Sequence, residues 1–177
     1  MESDSDQLLN DLTLKCTAGG TRIATSSGEK AIGDLYKGDS VLAFSVKLES
    51  GKLEFSSSEA KVIFSEGGQG QNKALYINFG EYKEIICTLD QPFLLRNGKY
   101  ARGSKLRTGQ ELVDAKGNAV VINSISLIDY SGMINNIAVD DFKFTSPNGH
   151  LLLAQGIIIG DFAFQLSFDS LPDNLKE

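Results

Sequence analysis

Two thiols and one imidazole carry most of the chemistry open to this sequence. They are Cys16, Cys87 and His150, the only cysteines and the only histidine in the chain. A thiol beside an imidazole can act on an ester or an amide, and His150 is the one side chain whose ordinary pKa lies near neutrality. A Cys16–His150 pair acting on outside substrates is therefore one reading. The two cysteines could instead close a single disulfide. With His150 and a carboxylate they could also make up a four-ligand zinc set. No Cys-x-x-Cys pattern and no second histidine support that set, so no metal and no cofactor are expected.

The frame that must position these groups is small. The chain has 177 residues, room for one domain or two small ones. Apolar residues make up 41% and charged residues 23%, enough for a buried core. The 17 Lys and Arg face 23 Asp and Glu, a net charge of −6. That balance argues against a nucleic-acid partner, which requires a basic face. The longest apolar run, 151–159, is broken by Gln155 and Gly156, so no membrane partner is expected. The start, Met1 to Asp6, is acidic and lacks the apolar stretch of a signal peptide.

Strand patterns dominate. Short runs rich in β-branched and apolar residues occur at 21–25, 40–45, 57–64, 74–79, 84–88, 119–128, 134–139 and 151–159. The glycine-rich stretch 66–72 reads as a loop. Only 1–14 has a mildly helical pattern, with Leu8, Leu9 and Leu12. The stretch 162–177 begins apolar and ends acidic. An internal repeat overlies the strands. Gly28 and Ala31 recur as Gly98 and Ala101, and Leu35, Gly38 and Val41 recur as Leu106, Gly109 and Leu112. A duplicated β unit predicts two pseudo-symmetric halves around a shared core.

Three segments together resemble the Hint (hedgehog/intein) self-processing family. Cys16-Thr17-Ala18-Gly19-Gly20-Thr21-Arg22-Ile23, with Ile32-Gly33-Asp34-Leu35 and Gly38-Asp39-Ser40-Val41-Leu42, is similar to the family's first block. Thr88-Leu89-Asp90-Gln91-Pro92 is similar to the second. The segment from His150 through Ile157-Ile158-Ile159-Gly160-Asp161 is similar to the closing block. The resemblance implies an all-β flattened horseshoe with two pseudo-symmetric halves, in which both ends of the module meet. It sets the domain at 16–161, with flanks 1–15 and 162–177.

The family's chemistry, carried over residue by residue, makes Cys16 the nucleophile. Its thiol attacks the Lys15 carbonyl through a five-membered ring and yields a thioester by an N–S acyl shift. Intramolecular placement of that kind is worth about 7–11 kcal/mol in well-oriented systems. Water, a thiol or an amine then resolves the thioester. The substrate is the protein's own flanking polypeptide, within a larger multidomain chain. Thr88 and Gln91 are expected to flank the scissile amide. Gln91 stands where the family has a histidine, and it cannot serve as a general acid; such a role contributes about 10²–10⁴ in rate. His150 matches the internal histidine of the closing block. Asn136 replaces an aspartate, Gly160 the penultimate histidine and Asp161 the terminal asparagine. Phe162 supplies no nucleophile to accept an acyl chain, so full splicing is not expected. The stretch after Asp161 is too short for a sterol-recognition region, so cholesterol transfer is not expected either. Cleavage at Lys15–Cys16 is the first expectation, with catalytic residues Cys16, Thr88, Gln91, His150 and Asp161. The alternative is a degenerate, non-cleaving scaffold used for binding or structure.

Overall fold

Alternation along Ser40–Glu49 (β4) buries Val41 and Ala43 and leaves the far end in solvent, as a half-covered strand requires. Ser50 and Gly51, both at positive φ (52° and 75°), then turn the chain back. A two-residue turn of this hand suits the twist of a hairpin, and β4 pairs with Lys52–Phe79 (β5) from Glu49↔Lys52 to Ser40↔Lys61. The computed structural model describes residues 17–177. The expected helical pattern at 1–14 lies outside them.

The remaining strands are Thr17–Ala18 (β1), Arg22–Thr25 (β2), Gly28–Ala31 (β3), Lys83–Cys87 (β6), Pro92–Leu94 (β7) and Tyr100–Arg102 (β8). They continue with Glu111–Val113 (β9), Ala119–Val139 (β10), Leu151–Ala154 (β11) and Ile157–Gly160 (β12). One short helix, Phe162–Leu166 (α1), follows β12. The fold is all-β, as the strand patterns indicate. Strands β5 and β10 run antiparallel from Ile122↔Phe79 to Val139↔Val62 and form the spine. The glycine-rich stretch 66–72 is strand rather than loop, a correction to the sequence reading. Gly67 pairs with Asn135 across the sheet. A side chain there would overlap the Asn135 amide, so close approach of the partner, not turn formation, accounts for glycine. The run 151–159 is in turn two strands, split by a hairpin turn with Gln155 at φ 53° and Gly156 at φ 82°.

The internal repeat is visible in the hydrogen bonds. Leu35 N donates to Ile32 O, as Leu106 N does to Gly103 O. Asp39 N donates to Tyr36 O, as Gln110 N does to Arg107 O. The Asp39 and Gln110 side chains accept from Tyr36 N and Arg107 N in the same way. Gly38 N reaches Val62 O, and Gly109 N reaches Ile122 O. Each half therefore hooks onto one of the two long strands. The core between the halves holds Ile23, Val41, Val62, Ile77, Phe93 and Ile159, among others.

The segment 162–177, read as a flank, packs onto this frame. Phe164, Phe168 and Leu171 join a second apolar cluster with Phe44, Tyr100 and Leu151. Arg102 pairs with Asp169 at 2.9 Å and lies over the Phe168 ring at 4.5 Å. Glu177 N donates to Tyr100 O.

Candidate active site

Strand β1 fixes the residue that follows Cys16. Thr17 pairs with Asn135 on β10 and with Cys87 on β6, and it is 1% exposed. It lines a narrow cleft with Gln91, Asn135, Gly160, Asp161 and Gln165. The cavity measures about 10 Å³, close to the lower limit for one water molecule. The start of β1 and the end of β12 therefore meet at one place. Cys16 itself lies outside the described residues.

Asp161 sits where β12 passes into α1. Its Oδ1 accepts from Phe164 N at 2.9 Å, a helix N-cap. Its Oδ2 accepts from Val139 N at 3.0 Å and lies 3.0 Å from His150 Nδ1. Its main-chain carbonyl accepts from Gln165 N. Both carboxylate oxygens and the carbonyl are thus engaged. The strand ends Leu151 and Gly160 are paired, which brings His150 and Asp161 together.

Electrostatics at this pair follow from burial and neighbours. Burial alone would lower the His150 pKa. The hydrogen bond and charge of Asp161, with Asp140 and Asp141 behind it, outweigh burial and leave it raised above 6.5. Burial raises the Asp161 carboxyl, against the opposing pull of His150 and the two backbone donors. Ligand atoms of Asp140, Asp141 and His150 lie within 4.8 Å of one another, close enough to hold a cation. An imidazolium would itself supply the positive charge those carboxylates face.

Gln91 is buried, and its side-chain amide donates to Gly160 O at 2.8 Å and Pro92 O at 3.1 Å. It thereby ties β7 to the end of β12. Thr88 directly follows the last residue of β6; Gln91 N donates to Thr88 O, while the Thr88 hydroxyl is buried without a partner. The Thr17 hydroxyl and Gln165 Nε2 are likewise buried and unpartnered. Gln91 and Asp161 share the cleft with Thr17. His150 stands behind Asp161, and Thr88 lies at the start of the turn that carries Gln91. Asn136 is buried on β10, facing Glu66 in the ladder. Cys87 is fully buried, and burial pushes its thiol far above the ordinary range.

Gly160 has a steric reason. A Cβ there would lie 2.6 Å from Phe164 Cδ1 and 3.1 Å from Pro92 Cβ. Helix α1 therefore occupies the space that any side chain at 160 would need. Sequence reading missed Gln165. The signal available was one polar residue within Phe162-Ala163-Phe164-Gln165-Leu166, directly after an aspartate able to cap a helix.

The model of the pretoxin Hint domain matches residues 22–161. The chain belongs to the pretoxin Hint family. No curated protein matches it. Among solved structures it is similar to a bacterial intein-like domain from Clostridium thermocellum, at 25% identity and TM-score 0.67, covering 83% of this chain and 98% of that one. The gp41-1 intein matches at 22% identity and TM-score 0.62, with 82% and 98% covered. The MchDnaB-1 intein matches at 19% and 0.61, with 82% and 99% covered. These last two likenesses show the fold alone. This pretoxin Hint domain thus belongs, in general terms, to a self-processing group. Helix α1 and the residues after it lie beyond the matched region.

Proposed function

We propose that this pretoxin Hint domain cuts its own chain between Lys15 and Cys16. The Cys16 thiol, deprotonated, adds to the Lys15 carbonyl carbon. The bond from that carbon to the Cys16 nitrogen breaks, and the departing amine takes up a proton. Lys15 is then held as a thioester on Cys16 Sγ. Water, a thiol or an amine adds to the thioester carbonyl; the carbon–sulfur bond breaks and the thiol regains its proton. The observation that carries this reading is the placement of Thr17. The residue next to Cys16 is locked into the sheet and lines a buried cleft with Gln91, Gly160 and Asp161. The family's description as pretoxin supports a substrate made of the domain's own flanking polypeptide within a larger precursor.

In this proposal Asp161 holds rather than reacts. An aspartate whose carboxylate caps a helix and receives three contacts has no free oxygen with which to attack its own carbonyl. The 161–162 bond stays intact and no splicing follows.

One observation favours the non-cleaving alternative. The Gln91 amide donor is already committed to Gly160 O and Pro92 O, leaving it little to offer a departing amine. The two readings separate by incubating the full chain with dithiothreitol and following fragments by mass, beside Cys16→Ala. Release of 1–15 from the parent and not from the variant supports cleavage. An intact, folded parent supports the scaffold.

A further inference from the structure

We propose that Asp140, Asp141 and His150 bind one divalent first-row transition-metal ion, with zinc the best match to their chemistry. Ligand atoms of the three side chains lie within 4.8 Å of one another. Among the described residues, no other set of three His, Cys, Asp or Glu side chains comes as close. The fold brings them together. Asp140 and Asp141 directly follow β10, and His150 directly precedes β11. Asp140 N donates to Lys61 O on β5, and Asp161 N donates to His150 O, so main-chain bonds hold both places. The site does not depend on the cleavage reading, since Cys16 supplies none of its ligands.

The imidazole is already held as a metal ligand is held. Its side chain is 5% exposed, and Nδ1 lies 3.0 Å from Oδ2 of Asp161, a carboxylate with no exposure. That carboxylate accepts from Val139 N and Phe164 N, so Nδ1 is the donor in the pair. Nε2 is then the nitrogen with the lone pair, and it has no hydrogen-bond partner among the described residues. A carboxylate behind a histidine fixes its tautomer and makes the other nitrogen a better ligand, the usual support of metal-bound histidines. The two aspartates supply charge. Both are exposed. Asp141 Oδ1 accepts from Lys143 N, which leaves its other oxygen open, and the Asp140 carboxylate makes no hydrogen bond among the described residues. No ion pair of the described residues joins either aspartate to a lysine or arginine. With bonds of about 2.0–2.2 Å, two ligand atoms on a tetrahedral zinc ion lie about 3.4 Å apart. Rotation of the exposed carboxylates toward the fixed imidazole closes that difference. Imidazole suits zinc and its neighbours, whereas magnesium and calcium take oxygen ligands. Three protein ligands leave a fourth position to water. A bound ion fastens the loop after β10 to Nε2 while Asp161 keeps Nδ1.

The competing account is a proton on His150, an imidazolium that answers the two carboxylates by itself. The test is calorimetric titration of Zn²⁺ into the full chain, with the single imidazole resonance followed by NMR. Two variants run beside the parent: Cys16→Ala, and Asp140→Asn combined with Asp141→Asn. Both aspartates are exposed, so the double variant is expected to fold as the parent does, and circular dichroism checks it. The parent and Cys16→Ala should each bind one equivalent at the site. The double variant should bind at least about tenfold more weakly, the least that losing even an outer partner of a ligand costs. Zinc should move the imidazole resonance and raise the melting temperature in the parent, and do neither in the double variant at the same concentration. Magnesium and calcium should not displace it. A parent that binds no zinc, or that binds it without moving the imidazole resonance, overturns the proposal. Equal affinity in the double variant overturns it as well. Binding lost in Cys16→Ala places the ion on that thiol instead, and displacement by magnesium or calcium overturns the choice of ion. Every outcome is read without reference to release of 1–15, so failure of the cleavage reading leaves the site standing and the reverse holds too.

Discussion

His150 and Asp161 are the buried pair on which the closing end of the domain depends. Their side chains are 5% and 0% exposed. His150 is the chain's only histidine, so a single imidazole resonance reports it. Its NMR titration midpoint should lie above 6.5 and move down in Asp161→Asn, which removes the partner charge. A parent midpoint below 6.5 would contradict the pairing. The sign for stability follows from linkage. A group whose folded pKa is raised contributes fully below its unfolded value and loses that contribution as pH rises through the folded one. His150 is raised, so the melting temperature should fall between about pH 6.5 and its folded midpoint. Burial raises Asp161 as well, which carries the same sign. Removing the carboxylate altogether in Asp161→Ala strands His150, Val139 N and Phe164 N, and should cost about 3–5 kcal/mol in urea unfolding. A cost under about 1 kcal/mol, the scale of a helix cap alone, would show that the buried pair adds nothing. Asp161→Asn supplies the asparagine that the closing-block resemblance implies at this position, yet it should release no 162–177 fragment, since the helix start still holds the carbonyl.

Helix α1 and strand β12 are fitted to each other at Gly160. A methyl group on Gly160 would press on Phe164, which is fully buried among Tyr100, Phe144 and Phe168. Gly160→Ala should therefore cost about 1–3 kcal/mol, and Phe164→Ala about 3–5 kcal/mol. Combined, they should cost less than their sum, because the cavity accepts the methyl group. Strict additivity would refute the fit. This coupling was not legible in the sequence. Gly160 reads there as a lost histidine, and the cause lies four residues on, in a five-residue helix too short to leave a periodic pattern. The stretch 66–72 was misread for a related reason. Glycine and asparagine favour turns locally, and only pairing with β10 makes this stretch strand. Gly67 is needed there by Asn135, a residue 68 positions away.

At the scale of the whole molecule, two copies of one β unit hook onto a shared pair of long strands, and this was legible. The glycines and apolar residues of each copy stand at matching offsets because they make the same turn hydrogen bonds. The meeting of the two ends was also foreseen, from the likeness of the first and closing blocks to one family. The contribution of 162–177 was not, since those residues show their role only once packed against Tyr100 and Arg102. In the proposed reaction this architecture directs the Cys16 thiol onto the Lys15 carbonyl. Hydroxylamine trapping of the full chain at about pH 7, followed by intact mass, checks that reaction. A thioester predicts 1–15 released as its hydroxamate at Lys15, together with 16–177 bearing a free N-terminal cysteine, and neither product from Cys16→Ala. Unchanged mass in a folded parent, or the same products from the variant, would rule that reaction out.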